Sequence, residues 1–137
     1  MTRRHQQKQK ELKRAAKTAD IPTQLGTYQR PDRSECFSRQ WHIAYDNSQT
    51  VRIQFNLWKQ GPSIVDFAII IQRLGTDGWE EAERFDCCHG HCHLHAEGGD
   101  NIESIHRLDN VTDVKPAFEL ASAEAHERAR IIRDKGA

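Results

Sequence analysis

The sequence predicts an α+β fold, an antiparallel sheet of four or five strands packed on a C-terminal helix and preceded by a basic, helical N-terminal arm. Three observations carry it. Residues 37–58 form two runs of alternating apolar and polar side chains with a short turn between them. Residues 64–71 are almost continuously apolar, and from Val114 to Ile132 apolar residues recur at helical spacing. A period of two denotes a strand with one wet face, and a three–four period denotes a helix with one buried stripe.

In chain order, residues 1–20 form the arm. Arg3, Arg4, Lys8, Lys10, Lys13, Arg14 and Lys17 stand against Glu11 alone, a net of about +6 by residue 17, so that the rest of this net-neutral chain carries about −6. Good helix formers fill the arm but few residues, such as Leu12, Ala15 and Ala16, are apolar, which makes it a weak helix unless docked. Residues 21–34 contain Pro22, Gly26 and Pro31 and are expected as a linker, with one domain over 35–135. Trp41, Ile43 and Tyr45 alternate with Gln40, His42 and Ala44. After Asp46-Asn47-Ser48, Val51, Ile53, Phe55 and Leu57 alternate with Arg52, Gln54, Asn56 and Trp58, so the pair reads as a hairpin. Gly61-Pro62 ends it. Ile64 to Ile71 reads as a central strand covered on both faces. Gly75-Thr76-Asp77-Gly78 is a turn, and Trp79 to Cys88 is a fourth strand running on into a histidine-rich stretch. Glu97 to Asn101 breaks the run and Ile102 to Leu108 is a short strand. Thr112 or Asp113 is expected to cap a helix with Pro116 in its first turn, Gly136 at its end, and Val114, Phe118, Ala121, Ala125, Arg128 and Ile132 on one face. Ile53, Phe55, Phe67, Ile69, Phe118 and Ile132 are the expected core.

No stretch approaches the roughly 20 apolar residues that span a bilayer, and the first residues, Met1-Thr2-Arg3-Arg4-His5-Gln6, lead into no apolar run. A cytoplasmic protein is expected, without a membrane partner. Four cysteines, of which Cys87, Cys88 and Cys92 crowd together, do not form a disulfide framework and are expected as thiols. Cys92 is expected in the core beside Leu94.

The chemistry is concentrated in Asp86-Cys87-Cys88-His89-Gly90-His91-Cys92-His93-Leu94-His95-Ala96-Glu97, where four of the eight histidines alternate. In one extended strand His89, His91, His93 and His95 share a face. Residues two apart lie roughly 6.7 Å apart, a span two imidazoles can bridge to one metal ion. Residues four apart lie roughly 13 Å apart, near the limit of reach. Adjacent histidine pairs would thus need further ligands, from Asp86, Glu97, His42 or His106, and zinc, nickel or copper would accept such a set. Gly90 is a point where the strand can bend and take His89 out of line. Without metal, two imidazoles can act as general base and general acid, with Arg84 or Arg107 neutralising a phosphate, which is the chemistry of RNA cleavage by the 2′-hydroxyl. The basic arm can follow a phosphate backbone, or it is a solvated tail or a surface helix tethered to the acidic body. A merely polar sheet face is the inert alternative.

The hairpin, the apolar third strand and Arg84-Phe85-Asp86 followed by His89, His91, His93 and His95 resemble the TumE-like group of small bacterial toxin proteins and related families of actinobacteria and their phages. The resemblance covers residues 35–135 and departs at the neighbouring cysteines. It implies a small intracellular protein that engages RNA, with a cognate antitoxin as partner. The leading expectation is RNA engagement, with cleavage by His91, His93 and His95, Asp86 orienting an imidazole, Arg84 on phosphate, and no cofactor. The alternatives are a zinc or other transition-metal module on the four histidines and a non-catalytic interaction protein.

Overall fold

The computed structural model describes residues 26–45, 47, 49–88, 90–96 and 102–136. The basic arm, His89 and Glu97 lie outside the described residues. Six strands follow one another in sequence and in space: β1 (Phe37–Ala44), β2 (Val51–Gln60), β3 (Ser63–Gly75), β4 (Gly78–Cys88), β5 (His91–His95) and β6 (Ile102–Arg107). All neighbours are antiparallel, so the sheet is a meander in the order β1-β2-β3-β4-β5-β6. A 3₁₀ turn at Val111–Asp113 leads into the helix α1 (Val114–Gly136).

The α+β class is as expected, but the sheet has six strands rather than four or five. The histidine stretch does not continue the fourth strand. Gly90 takes φ +68°, a left-handed conformation natural to glycine, and the chain reverses between Cys88 and His91. Residues 91–95 thereby become a strand of their own against β4.

The helix side of the sheet holds the core. Val51, Ile53, Phe55 and Leu57 of β2 are buried, as are Phe67, Ile69 and Ile71 of β3 and Phe85 of β4. Phe118 packs edge-on to Phe67, with ring centres 5.3 Å apart, and to Phe55 at 6.2 Å. The helix meets them with Val114, Ala117, Ala121, Ala125, Ala129 and Ile132, all fully buried. Ala117 and Ala129 extend the expected stripe, and four alanines at a spacing of four let the backbone lie close on bulky strand residues. Arg128 lies on this stripe because it reaches Glu83 of β4, which is 1% exposed, with two contacts of 2.6 Å. The cap differs from expectation by two or three residues: Asn110 starts the 3₁₀ turn, and its capping box closes on Asp113.

Among the described residues no second layer of helix or sheet covers the other face of β3. Ala68 is buried and Ile70 half-buried there, beside a cleft described below. Across one end of the sheet runs residues 26–36, whose first nine were expected as part of a linker. Gly26 N donates to Gly90 O (2.8 Å), Tyr28 N to Leu108 O (3.1 Å) and Tyr28 Oη to Val65 O (2.7 Å). A Cβ on Gly26 would stand 1.7 Å from Leu108 O and one on Gly90 would stand 2.2 Å from Gly26 O. Only a pair of glycines permits this approach, so the strap is built into the fold.

Candidate functional site

Because β4 and β5 pair in register, Asp86 stands opposite His93 and Arg84 opposite His95. Strand alternation then separates two chemistries. Phe85, Cys87, Cys92 and Leu94 enter the core on the helix side, while Arg84, Asp86, His91, His93 and His95 share the other face. His91 and His93 are only 8% and 7% exposed.

Asp86 Oδ1 is the focus. His93 Nε2 lies 2.8 Å from it and His95 Nε2 3.4 Å, and the ligand atoms of these three residues all fall within 4.8 Å of one another. Despite those contacts, Oδ1 is buried with no aligned hydrogen-bond donor among the described residues. A tetrahedral ion with bonds of about 2.0–2.1 Å places its ligands roughly 3.3 Å apart, close to the spacings found. The donor set of two imidazoles and one carboxylate therefore fits a transition metal, and three protein ligands would leave an open position. Burial works to raise the Asp86 carboxyl, but close contact with His93 and the charges of His93 and His95 outweigh it, and its pKa lies below the ordinary value. A carboxyl held low in this way contributes stability above its unfolded value, lost as the pH falls through the depressed one.

His91 belongs to the same row but not to the same cluster. Its ring stacks on His93 at 5.5 Å, yet its Nε2 engages Ser104 Oγ of β6. Burial, and then the charge of His93, push its pKa down, so the folded protein favours neutral His91. The corresponding stability is complete above the ordinary imidazole value of about 6.5 and declines as the pH falls below it. Ser104 was not legible as a site residue, because only the β5–β6 register brings it to this face.

The remaining candidates are dispersed. Arg84 lies on the site's face with its Nε and Nη2 on Glu81 Oε1, at 3.1 and 2.6 Å. His42 is on β1, opposite Gln54 of β2 and three strands from β4. His106 stands opposite Cys92 in register, on the helix side of the sheet, and so away from the row. Arg107 bonds Asp109. Cys87 and Cys92 oppose each other as free thiols inside the core, where the hydrogen bond with Cys92 and then burial hold the Cys87 thiol far above its ordinary range. Trp41 stacks on Phe55 in the core, while Trp79 lies under the Arg52 guanidinium.

Beside Asp86, over β2–β4, is a cavity of about 390 Å³ whose walls include Arg30, Arg33, Asn56, Trp58 and Arg84, with Asp86 itself on its rim. Sequence reasoning passed over Arg30, Arg33 and Trp58, whose roles depend on the strap. Among the described residues no helix is long and apolar enough to cross a membrane. No family model, no curated protein and no solved structure matches this chain.

Proposed function

We propose that this chain is a transition-metal-binding protein, with zinc as the leading ion, and that Asp86, His93 and His95 are its ligands. The observation that supports it is the convergence of two imidazole nitrogens on a buried carboxylate oxygen that has no aligned donor. A bound ion would satisfy that oxygen and both nitrogen lone pairs at once. Zinc with an open position polarises a bound water or ester oxygen. The chain's own contribution is a dry wall around His93 and an accessible edge at His95. Titration of the full-length, metal-free protein with zinc at pH 7 should give one saturable site and a higher melting temperature, because an ion that binds only the folded state stabilises it. Binding should weaken below about pH 6, where imidazoles ordinarily protonate. Absence of saturable binding by zinc, nickel or copper overturns the proposal.

A second reading is favoured by the three arginines beside Asp86. In it the protein is a toxin-like RNA-binding molecule, with a cognate antitoxin as partner, in which His93 and His95 serve as acid and base, Asp86 orients His93, and Ser104 holds His91. RNA degradation would then resist EDTA and show a bell-shaped pH profile, since one imidazole must be neutral while the other is protonated. Purified protein that neither binds nor cleaves RNA at low salt removes this reading.

A further inference from the structure

We infer that the arginine-walled cavity over β2–β4 binds the phosphate group of a nucleotide-sized ester and presents it to the Asp86 edge of the histidine centre; the inference rests on the proposed metal centre for its coupling, though not for binding itself. The volume of about 390 Å³ lies within the range of small-ligand sites, roughly 300–1,000 Å³.

What distinguishes this cavity from an ordinary polar dent is the way its guanidiniums are held. Asp66 of β3 is 1% exposed. Its Oδ2 accepts from Arg30 Nη1 at 2.8 Å and Arg33 Nε at 2.7 Å, and its Oδ1 accepts from Phe67 N at 2.8 Å. One buried carboxylate thus orients two arginines from the strap. Asp32 fixes the strap locally, since its Oδ1 takes Ser34 N at 2.9 Å and starts the 3₁₀ turn carrying Arg33. The Arg33 guanidinium lies 3.9 Å from the centre of the Trp58 ring, which holds its plane as well as its position.

These arginines retain donors. Arg33 uses Nε on Asp66, and Arg30 uses Nη1 on Asp66 and on Cys87 O (3.5 Å). A guanidinium carries five N–H groups in a fork that matches phosphate oxygens. Asp66 and Glu81 pair with the three arginines and Asp86 joins them on the lining, so recognition rests on the unused N–H groups of fixed guanidiniums and not on a net charge. Ala68 and Ile70 provide an apolar floor for the body of the ester. Asp86 alone would repel a phosphate at its end of the cavity. A divalent ion on Asp86 inverts that sign, so metal and phosphate should strengthen each other's binding by the same factor.

Calorimetric titrations of the full chain at low salt would use inorganic phosphate, a 5′-mononucleotide and a short single-stranded RNA, each with zinc-free and zinc-loaded protein. The expected result is one saturable mononucleotide site, competed by inorganic phosphate and tightened by zinc. Arg84→Gln should weaken it about tenfold at unchanged melting temperature, because that side chain and its partner Glu81 are both over 40% exposed. Arg33→Gln should weaken it at least as much, with its fold checked separately by circular dichroism. Tighter binding of the mononucleotide than of the RNA identifies a free nucleotide as the source of the phosphate, and the reverse identifies an RNA strand. No saturable binding of either, or binding unchanged in both variants, overturns the inference. Phosphate binding that persists in a protein taking up no zinc leaves the cavity assigned and removes the metal reading alone.

Discussion

Arg128→Ala is expected to cost about 3–5 kcal/mol of stability, the effect of removing one partner from a buried ion pair. Glu83 sits on β4 facing the helix and is 1% exposed, and Arg128 reaches it with Nε and Nη2 at 2.6 Å each. The substitution takes a bidentate guanidinium from a carboxylate that water cannot solvate. For a domain of this size the melting temperature should fall on the order of 10–20 °C. Lysine is a poor substitute, because an ammonium cannot offer two parallel donors. The double variant Glu83→Leu, Arg128→Leu removes both charges and should recover most of the loss, as matched apolar replacements of buried pairs often do. A single variant within about 1 kcal/mol of the parent would show that water reaches this pair in solution. The result bears on the site because Glu83 and Asp86 lie on the same strand, with the helix anchoring one and β5 facing the other.

His93→Ala and Asp86→Asn should each lower zinc affinity by more than about 100-fold. Loss of an outer partner of a metal ligand alone typically costs 10–100-fold, and these two residues contribute ligand atoms themselves. His91→Gln provides the contrast. It alters a ring stacked on His93 at 5.5 Å whose Nε2 is already committed to Ser104, so zinc affinity should change by less than about tenfold. Thermal unfolding followed beside the zinc titration separates ligand loss from misfolding, since His93 is buried and its truncation leaves a void. Equal losses in all three variants would mean that the row binds metal diffusely, and the assignment to Asp86, His93 and His95 would fail.

The strand faces and the helix stripe are local properties, and periodicity exposes them. Val51, Ile53, Phe55 and Leu57 are buried where alternation places them, and Val114 to Ile132 form the helix contact. The same alternation put His91, His93 and His95 on one face, while Asp86, at odd separations from them, is near in sequence only. How Asp86 meets them is not local. A continuous strand would have put Asp86 on the face opposite the imidazoles, an odd number of residues from each, whereas the reversal at Gly90 brings His93 directly opposite Asp86 across a ladder, on the same face. Gly90 was legible as a bend, but only the close approach of Gly26 and Leu108 shows why the turn closes there.

Charged residues were the least legible, because sequence does not show which distant charge a carboxylate will meet. Asp66 is the one charged residue in the apolar run 64–71, and Glu83 lies in the strand that follows the turn at Gly75–Gly78; nothing local marks either as buried. Each is buried because an arginine far away in the chain arrives to pair with it: Arg30 and Arg33 from the strap, Arg128 from the helix. By itself the sequence determined the α+β class and the apolar face of each element, which are consequences of side-chain periodicity, and the concentration of imidazoles within a few residues of Asp86. The tertiary structure alone decided the sixth strand, the burial of Asp66 and Glu83, the cavity at Asp86 and the partnership of His91 with Ser104, because these depend on strand register and on pairs separated by tens of residues, about which local pattern carries no information.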